Sequence, residues 1–234
     1  MYNCHCEHPK DVKQSDTCFV IMDDAQKIVN TIIDKRRRVR ANESMLVALS
    51  GIDGSGKGYV TSQVVNELIE RNINAVGINI DGWLNLPHVR FNDDRPAEHF
   101  YKNAIRFEEM FEQLILPLKR DRSITVEIDF AEETATEYRR HTYEYKNVDV
   151  IVLEGIYLLK KGFRYYYDWT LWIDCTFETA LERALRRGQE HLSPEETTRA
   201  YRTIYFPAQE IHFRLDAPKS SADAILVNDP LLSM

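Results

Sequence analysis

Three residues with a fixed spacing have the chemistry to bind the phosphates of a nucleotide. Gly51, Gly56 and Lys57 match the pattern G-x-x-x-x-G-K, in which glycines let backbone N–H groups converge on phosphate oxygens and the lysine adds positive charge near the β- and γ-phosphates. The Ser or Thr that usually follows this lysine and contacts Mg²⁺ is replaced by Gly58. We therefore predict a nucleotide-binding loop made of Gly51, Asp53, Gly54, Ser55, Gly56, Lys57, Gly58 and Tyr59.

Two carboxylates end apolar stretches that are typical of parallel strands. Asp81 follows the stretch 75–80, and Glu154 lies near the end of the stretch 149–155. Ligands bind at the carboxyl edge of such sheets, so both acids face the loop if their strands flank the strand that precedes it. Phosphoryl transfer depends on positioning and charge neutralisation. We assign Lys57 to the phosphates, Asp81 to orient an acceptor hydroxyl and take its proton, and Glu154 to hold Mg²⁺ through water, with both acids as candidate metal ligands. The alternative is that each is a turn or strand-end residue.

Three arginines lie on one predicted helix before a glycine. Arg183, Arg186 and Arg187 could fold over the transferring phosphate as a lid, spanning about residues 183–197. A solvated basic face is the alternative interpretation, so we expect only one or two of them to act. Arg183 and Arg187 are the candidates.

The elements that must position these residues follow from the periodicity of apolar side chains. The strand 45–50 runs into the loop, and the helix 59–71 follows it. Strands that alternate with helices predict an α/β fold of the P-loop NTPase type, with a mostly parallel sheet and helices on both faces. The other expected elements are helices 23–38, 97–116 and 176–187, a helix toward 205 that Pro207 interrupts or ends, strands 75–80, 149–155, 170–173 and 222–227, an exposed loop 84–96, and a β-hairpin of strands 124–128 and 136–145.

Composition limits the classes of function. At 234 residues, 44% hydrophobic and 29% charged, the sequence is that of an ordinary globular protein, expected as a flexible tail of residues 1–20 and one domain over 21–234, with the hairpin as an insert at about 123–145. A net charge of −7 argues against a nucleic-acid partner. No apolar run is long enough for a membrane helix, and the polar start lacks a secretory signal, so we expect a cytoplasmic protein without a membrane partner.

Four cysteines are too few and too unevenly spaced for a disulfide framework. Cys4, His5, Cys6 and His8 are metal-binding residue types, but a second half with zinc-site spacing is missing, so a disordered tail is the preferred interpretation.

The order of these features resembles the uridine kinase and phosphoribulokinase family of P-loop small-molecule kinases. The resemblance runs from about Leu46 to Pro230 and includes the loop, Asp81, the arginine-rich segment 180–188, and the sequences Leu153-Glu154-Gly155-Ile156, Tyr165-Tyr166-Tyr167-Asp168 and Leu171-Trp172-Ile173-Asp174. It implies ATP with Mg²⁺, transfer to a primary hydroxyl of a nucleoside or sugar, and a hairpin that covers the acceptor. A homo-oligomer is plausible on the same basis.

The hairpin departs from the family pattern, in which a Tyr-Asp-Phe sequence and a following histidine help to recognise a pyrimidine. Here Ile128 precedes Asp129 and Phe130, and the next histidine is His141. The segment Leu86 to Phe100 is also unusual for the family. A nucleoside such as uridine or cytidine is the first hypothesis for the acceptor, with a sugar phosphate or pantothenate as the alternative. A catalytically impaired nucleotide-binding regulator is a further alternative. The candidate acceptor-binding residues are Asp81, Trp83, Arg139, Arg140 and His141.

Overall fold

A five-stranded parallel sheet organises the described part of the chain. The computed structural model describes residues 17–188 and 192–232. The strands of this sheet lie in the order β2-β5-β1-β6-β7, and a separate antiparallel pair, β3-β4, forms the hairpin. The strands are β1 (Met45–Gly51), β2 (Ala75–Asn79), β3 (Ile124–Phe130), β4 (Arg139–Tyr145), β5 (Val150–Gly155), β6 (Trp169–Asp174) and β7 (Ala224–Val227).

Helices cover both faces of this sheet, as the alternation of elements predicts. In the described residues they are α1 (Thr17–Arg36), α2 (Lys57–Glu70), α3 (Pro87–Arg90), α4 (Pro96–Asn103), α5 (Phe107–Met110), α6 (Leu116–Asp121), α7 (Phe177–Arg187), α8 (Pro194–Ala200), α9 (Phe206–Asp216) and α10 (Pro218–Ser221). The predicted α/β fold and its hairpin are confirmed.

Alternate side chains of the central strands enter two separate cores. On one face Val47 and Leu49 pack with Val29 of α1 and Val64 of α2. On the other face Leu46 and Ala48 belong to a larger, aromatic core with the helices between β2 and β3 and with α9. Every residue of β1 is buried, which is expected for the central strand of a sheet covered on both sides.

The predicted helix 97–116 is wrong as a single element. Helix α4 ends at Asn103, and the chain at Ala104 to Arg106 runs beside Trp83 to Asn85 instead of continuing the helix. The amide of Asn85 donates to the carbonyl of Ala104 at 2.9 Å, and the amide of Arg106 donates to the carbonyl of Trp83 at 2.9 Å. These long-range hydrogen bonds pair the backbone groups of Ala104 and Arg106 that would otherwise form helical hydrogen bonds. Tertiary pairing therefore overrides the helical pattern. The expected loop 84–96 also contains the short helix α3.

Pro207 does not end its helix. A π-helical turn, Tyr201–Tyr205, precedes α9, which continues through Pro207 to Asp216. Pro117 has the same setting in α6, after the π-helical turn Phe111–Ile115. Proline lacks the N–H that donates to the preceding turn, so an irregular turn before it lets the helix continue.

Some predicted elements differ from the structure only in where they begin or end. Others concern residues that the structure does not describe. Helix α1 begins at Thr17 rather than near residue 23. The proposed Cys4, His5, Cys6 and His8 cluster lies outside the described residues. None of the described helices combines the length and the apolar character that crossing a bilayer requires.

Candidate active site

Strand register brings the loop and the two predicted acids to one edge of the sheet. Glu154 of β5 lies in register with Leu49 of β1 on one side and with Asn79 of β2 on the other. The sequence hypothesis required the strand before Asp81 to flank β1. Strand β2 does not do so, because it pairs with β5. Asp81 still reaches the site, because Asn79 ends β2 and its side chain accepts a hydrogen bond from the Asp81 amide at 2.7 Å. Asp81, Glu154 and Lys57 line one cleft.

The glycines of the loop are required by close backbone packing. A Cβ atom at Gly51 would lie 2.6 Å from the carbonyl oxygen of Ile173, and one at Gly54 would lie 2.6 Å from that of Ala180. Gly54 and Gly56 also have positive φ angles of 76° and 88°, which side-chain-bearing residues rarely adopt. The loop therefore has the tight glycine geometry that directs backbone N–H groups inward.

The start of α2 provides positive potential to this loop. Its N-cap is Gly56, which gives no side-chain cap, so the first amides of the helix have no side-chain acceptor there. Lys57 is buried in the first turn, and its Nζ donates to the carbonyl of Ile52 at 2.9 Å. Ser55 Oγ is buried without a hydrogen-bond partner among the described residues. Unpaired donors and a buried cation at a helix N-terminus fit the phosphates of a nucleotide. Tyr59, by contrast, is 48% exposed.

Two of the three lid arginines contact the loop. The Arg183 guanidinium donates to the carbonyl of Gly54 at 3.3 Å and to the carbonyl of Asn228 at 3.0 Å. Arg187 Nη2 lies 3.7 Å from Oδ2 of Asp53. Arg186 instead pairs with Glu182 on the exposed face of α7. The structure thus places Arg183 and Arg187 against the loop and Arg186 away from it; their action on a phosphate stays a prediction.

Asp53 is a junction between the loop and the segment that follows the lid. Its carboxylate accepts a hydrogen bond from the hydroxyl of Tyr201, a fully buried residue that starts the π-helical turn before α9. This bond and the Arg187 ion pair both hold Asp53, which is one of the variable positions of the G-x-x-x-x-G-K pattern. The sequence placed Asp53 in the nucleotide site and assigned no role to Tyr201.

The two acids have raised pKa values. Burial raises the pKa of Glu154 to about 7, against the opposing effect of the Lys57 charge and with a contribution from the nearby Asp81 and Asp53 carboxylates. Burial also raises the pKa of Asp81, and Lys57 opposes this shift. Because Asp81 is itself exposed to solvent, screening by water weakens this shift, and the raised pKa of the buried Glu154 is the firmer of the two. Raised pKa values at adjacent carboxyls are typical of functional clefts.

The cleft contains side chains that sequence reasoning missed. They come from the ends of β2, α3 and β5 or from the residues that follow them, from α4, from the hairpin loop, and from α9 and the π-helical turn before it. The sequence assigned no site role to any of them, although three lie in the segment 86–100 that is unusual for the family and Ile156 lies in a stretch that resembles it. They are Asn79, Leu84, Arg90, Phe91, Phe100, Glu133, Ile156, Tyr205 and Gln209.

The predicted acceptor residues other than Asp81 lie outside this cleft. Trp83 is fully buried and stacks on Tyr143 at 6.4 Å between ring centroids. Arg139 pairs with Glu132, and Arg140 pairs with Glu127 and Asp129, both on the exposed surface of the hairpin. His141 packs against the rings of Phe130 and Tyr143. Their assignment to the acceptor stays a prediction without support from their positions.

The carboxylates near the loop fit an Mg²⁺ ion whose remaining ligands are water and phosphate oxygens. Within residues 17–188 and 192–232, no group of three or more His, Cys, Asp or Glu side chains is arranged to hold a metal ion alone. Mg²⁺ usually takes one or two carboxylates and completes its shell with water and phosphate oxygens. Glu154 and Asp81 are the carboxylates that the cleft offers for this role.

The sheet order, the glycine loop and the helix that starts at Lys57 define the fold of the P-loop kinases. No protein-family model matches the chain. Several solved structures are similar to the chain in fold. A protein from Bacillus stearothermophilus, described as a "possible uridine kinase", is 18% identical over 88% of this chain and 99% of its own, with a TM-score of 0.68. D-glycerate 3-kinase from Cryptococcus neoformans var. grubii is 11% identical over 88% of this chain and 95% of its own, with a TM-score of 0.64. The resemblance in fold that the sequence suggested is confirmed.

Proposed function

We propose that this protein is an ATP-dependent phosphotransferase that moves a γ-phosphoryl group to a hydroxyl of a small metabolite. The observation that carries the proposal is that Lys57, Asp81 and Glu154 line one cleft at the carboxyl edge of a parallel sheet. Such a cleft places a cation for the phosphates beside an acid for the acceptor. Positioning and charge neutralisation are the main requirements of phosphoryl transfer.

Each residue has a role in this proposal. The amides at the start of α2 and Lys57 bind the phosphates, and Arg183 and Arg187 add positive charge from the lid helix. Asp81 orients the acceptor hydroxyl and takes its proton, because it lies at the solvent-accessible side of the cleft. Glu154 contributes a carboxylate for Mg²⁺, which when bound with ATP neutralises phosphate charge. The aromatic rings of Phe91, Phe100 and Tyr205 give the acceptor side an apolar wall.

The finer hypothesis, a nucleoside such as uridine or cytidine as the acceptor, rests on the family resemblance. A B. stearothermophilus structure described as a possible uridine kinase and a glycerate kinase share the fold, so the fold is compatible with more than one acceptor. The acceptor must therefore be chosen by experiment among nucleosides, hydroxy acids, sugar phosphates and pantothenate.

The test is ADP release from ATP and Mg²⁺ in the presence of each acceptor. Asp81→Asn keeps the size of the side chain and removes the base, so we expect turnover to fall by about 100-fold or more while nucleotide affinity stays unchanged. Asp93→Asn is the matched control, because Asp93 is an exposed acid in the segment before α4. Full turnover by Asp81→Asn would remove the proposed base.

A nucleotide-binding regulator without catalysis is the second candidate, and Gly58 favours it. At this position the loop lacks the hydroxyl that normally helps to place Mg²⁺. This candidate predicts saturable ATP binding and no acceptor-dependent ADP release with any member of the panel. Acceptor-dependent release that Asp81→Asn abolishes would exclude it.

A further inference from the structure

A buried arginine that lines the cleft has a hydrogen-bond donor without a partner among the described residues. Arg90, the last residue of α3, is only 4% exposed and lines the cleft with Asp81. Its Nη2 donates to the backbone carbonyl of Glu133 in the hairpin loop. Its Nε is buried and has no hydrogen-bond partner among the described residues.

The charge of Arg90 is also not matched by a close carboxylate. Among the described residues its guanidinium forms no ion pair with an Asp or Glu side chain, and the Glu133 and Asp81 charges act on it without a hydrogen bond. A buried cation without a hydrogen-bonded anion is costly, so natural proteins usually pair such groups. The guanidinium instead lies over the ring of Phe91, at 5.1 Å from the centroid. This contact holds it in the cleft without satisfying Nε.

A second unpaired group lies on the same cleft. Gln209 of α9 is 2% exposed, and its Oε1 is buried without a donor among the described residues. Gln209 and Arg90 thus offer one acceptor and one charged donor to the same cleft. A ligand that carries a hydroxyl and an anionic oxygen would satisfy both groups and would also neutralise the charge of Arg90.

We propose that the phosphoryl acceptor is a small hydroxylated anion, and that Arg90 binds its carboxylate or phosphate group. This inference rests on the proposed function and names the substrate class of the same cleft. Arg90 binds the anionic end, Gln209 accepts from a hydroxyl, and Asp81 faces the hydroxyl that is phosphorylated. A planar guanidinium suits carboxylate and phosphate oxygens, which accept charge-assisted hydrogen bonds. A neutral nucleoside would leave the buried charge of Arg90 without a matching anion.

The experiment compares anionic acceptors with neutral ones in ADP release and in thermal shift with Mg²⁺ and ADP present. The carboxylate arm uses pantothenate against pantothenol and glycerate against glycerol. The phosphate arm uses ribulose 5-phosphate and ribose 5-phosphate against ribose, and uridine and cytidine form the nucleoside arm. We expect turnover and thermal stabilisation to favour one anionic arm, and that arm identifies the anionic group.

Variants separate binding from folding. Arg90→Gln should raise the KM for the anionic acceptor by about 100-fold while changing kcat less, since a buried charged contact is lost. Arg90→Lys keeps the charge and should recover part of this loss. Arg95→Gln removes an exposed charge from the neighbouring segment and should leave KM unchanged. If Arg90 only supports the hairpin loop, Arg90→Gln lowers the melting temperature and impairs anionic and neutral acceptors equally, which overturns the proposal.

The remaining outcomes distinguish this proposal from the one it depends on. Turnover with neutral acceptors alone overturns the anionic acceptor and leaves the phosphotransferase in place. Absence of turnover with every acceptor counts against the phosphotransferase. The thermal shift then decides the anion site: stabilisation by an anionic compound that Arg90→Gln abolishes supports it, and no stabilisation by any anionic compound overturns it.

Discussion

Gly58 faces the carboxylate of Glu154 directly. A Cβ atom at position 58 would lie 3.6 Å from Oε1 of Glu154, an ordinary van der Waals distance. The hydroxyl that most P-loops place on Mg²⁺ would therefore fit here without displacing the proposed metal-binding acid. The absence of this hydroxyl is not forced by packing, and Glu154 carries more of the proposed metal binding as a result.

Gly58→Ser should therefore strengthen magnesium-dependent nucleotide binding. The new hydroxyl can replace a water in the Mg²⁺ shell, so we expect the Mg²⁺ concentration for half-maximal ATP binding to fall by about 3- to 10-fold. Titration of Mg²⁺ at fixed ATP measures this change. Gly162→Ser is the control, because its Cβ would meet open space. An unchanged Mg²⁺ dependence would show that the metal is held away from position 58.

Glu154 should make the nucleotide-free protein less stable as pH rises. Its pKa is about 7 in the folded protein and 4.5 in an ordinary environment, so the folded state binds more protons than the unfolded state between these values. The free energy of unfolding therefore decreases from pH 4.5 to pH 7, by about 3 kcal/mol for this group alone. Glu154→Gln removes the penalty and should raise the melting temperature at pH 8 but not at pH 5, with activity reduced.

Thermal melts of the two proteins across pH 5 to 8, without nucleotide or Mg²⁺, check this prediction. Glu70→Gln is the control, because Glu70 is an exposed acid at the end of α2. An equal shift of melting temperature at both pH values would mean that Glu154 is ionised throughout this range.

The hydroxyl of Tyr201 should matter to the nucleotide site. It donates to the Asp53 carboxylate from a fully buried position, and a hydrogen bond to a charged group contributes about 1.5–3 kcal/mol. Tyr201→Phe should lower the free energy of unfolding by about this amount. It should also raise the KM for ATP several-fold, because Asp53 in the loop loses the hydrogen bond from Tyr201. Tyr165→Phe, at a 71% exposed tyrosine, is the control for loss of a hydroxyl. Unchanged ATP affinity would limit the contact to folding.

Local pattern was enough to predict the strands, the loop and the helix that form the proposed nucleotide site. The apolar stretches before Gly51 and Glu154 are buried strands and the one before Asp81 is a partly buried strand, and their carboxyl ends meet because parallel strands align their ends. Ser193 and Glu196, three positions apart in the sequence, form a capping box at the start of α8. These features depend on residues that are close in sequence, or on a rule that holds for the whole sheet.

The acceptor half depends on contacts between distant segments. Arg90 is positioned by the carbonyl of Glu133, which is 43 residues away, and Gln209 reaches the cleft only because its helix passes Pro207. Trp83 looked available next to Asp81, but backbone pairing with the chain after α4 draws it into the core. No periodicity in one sequence encodes such pairings, so the acceptor residues that it suggested, other than Asp81, lie outside the cleft.

Gly82 should control how the hairpin sits beside Asp81. A Cβ atom at position 82 would lie 2.4 Å from Cε2 of Phe130, and the amide of Ala131 donates to the Gly82 carbonyl at 3.3 Å. Gly82→Ala must therefore move the Phe130 ring or the whole hairpin, at a cost of about 1–3 kcal/mol. We expect a lower melting temperature and a higher KM for the acceptor, with the KM for ATP unchanged. Gly162→Ala, in open space, separates this effect from the general gain of a methyl group. If Gly82→Ala changes the KM for ATP and not that for the acceptor, the hairpin belongs to the nucleotide side of the cleft.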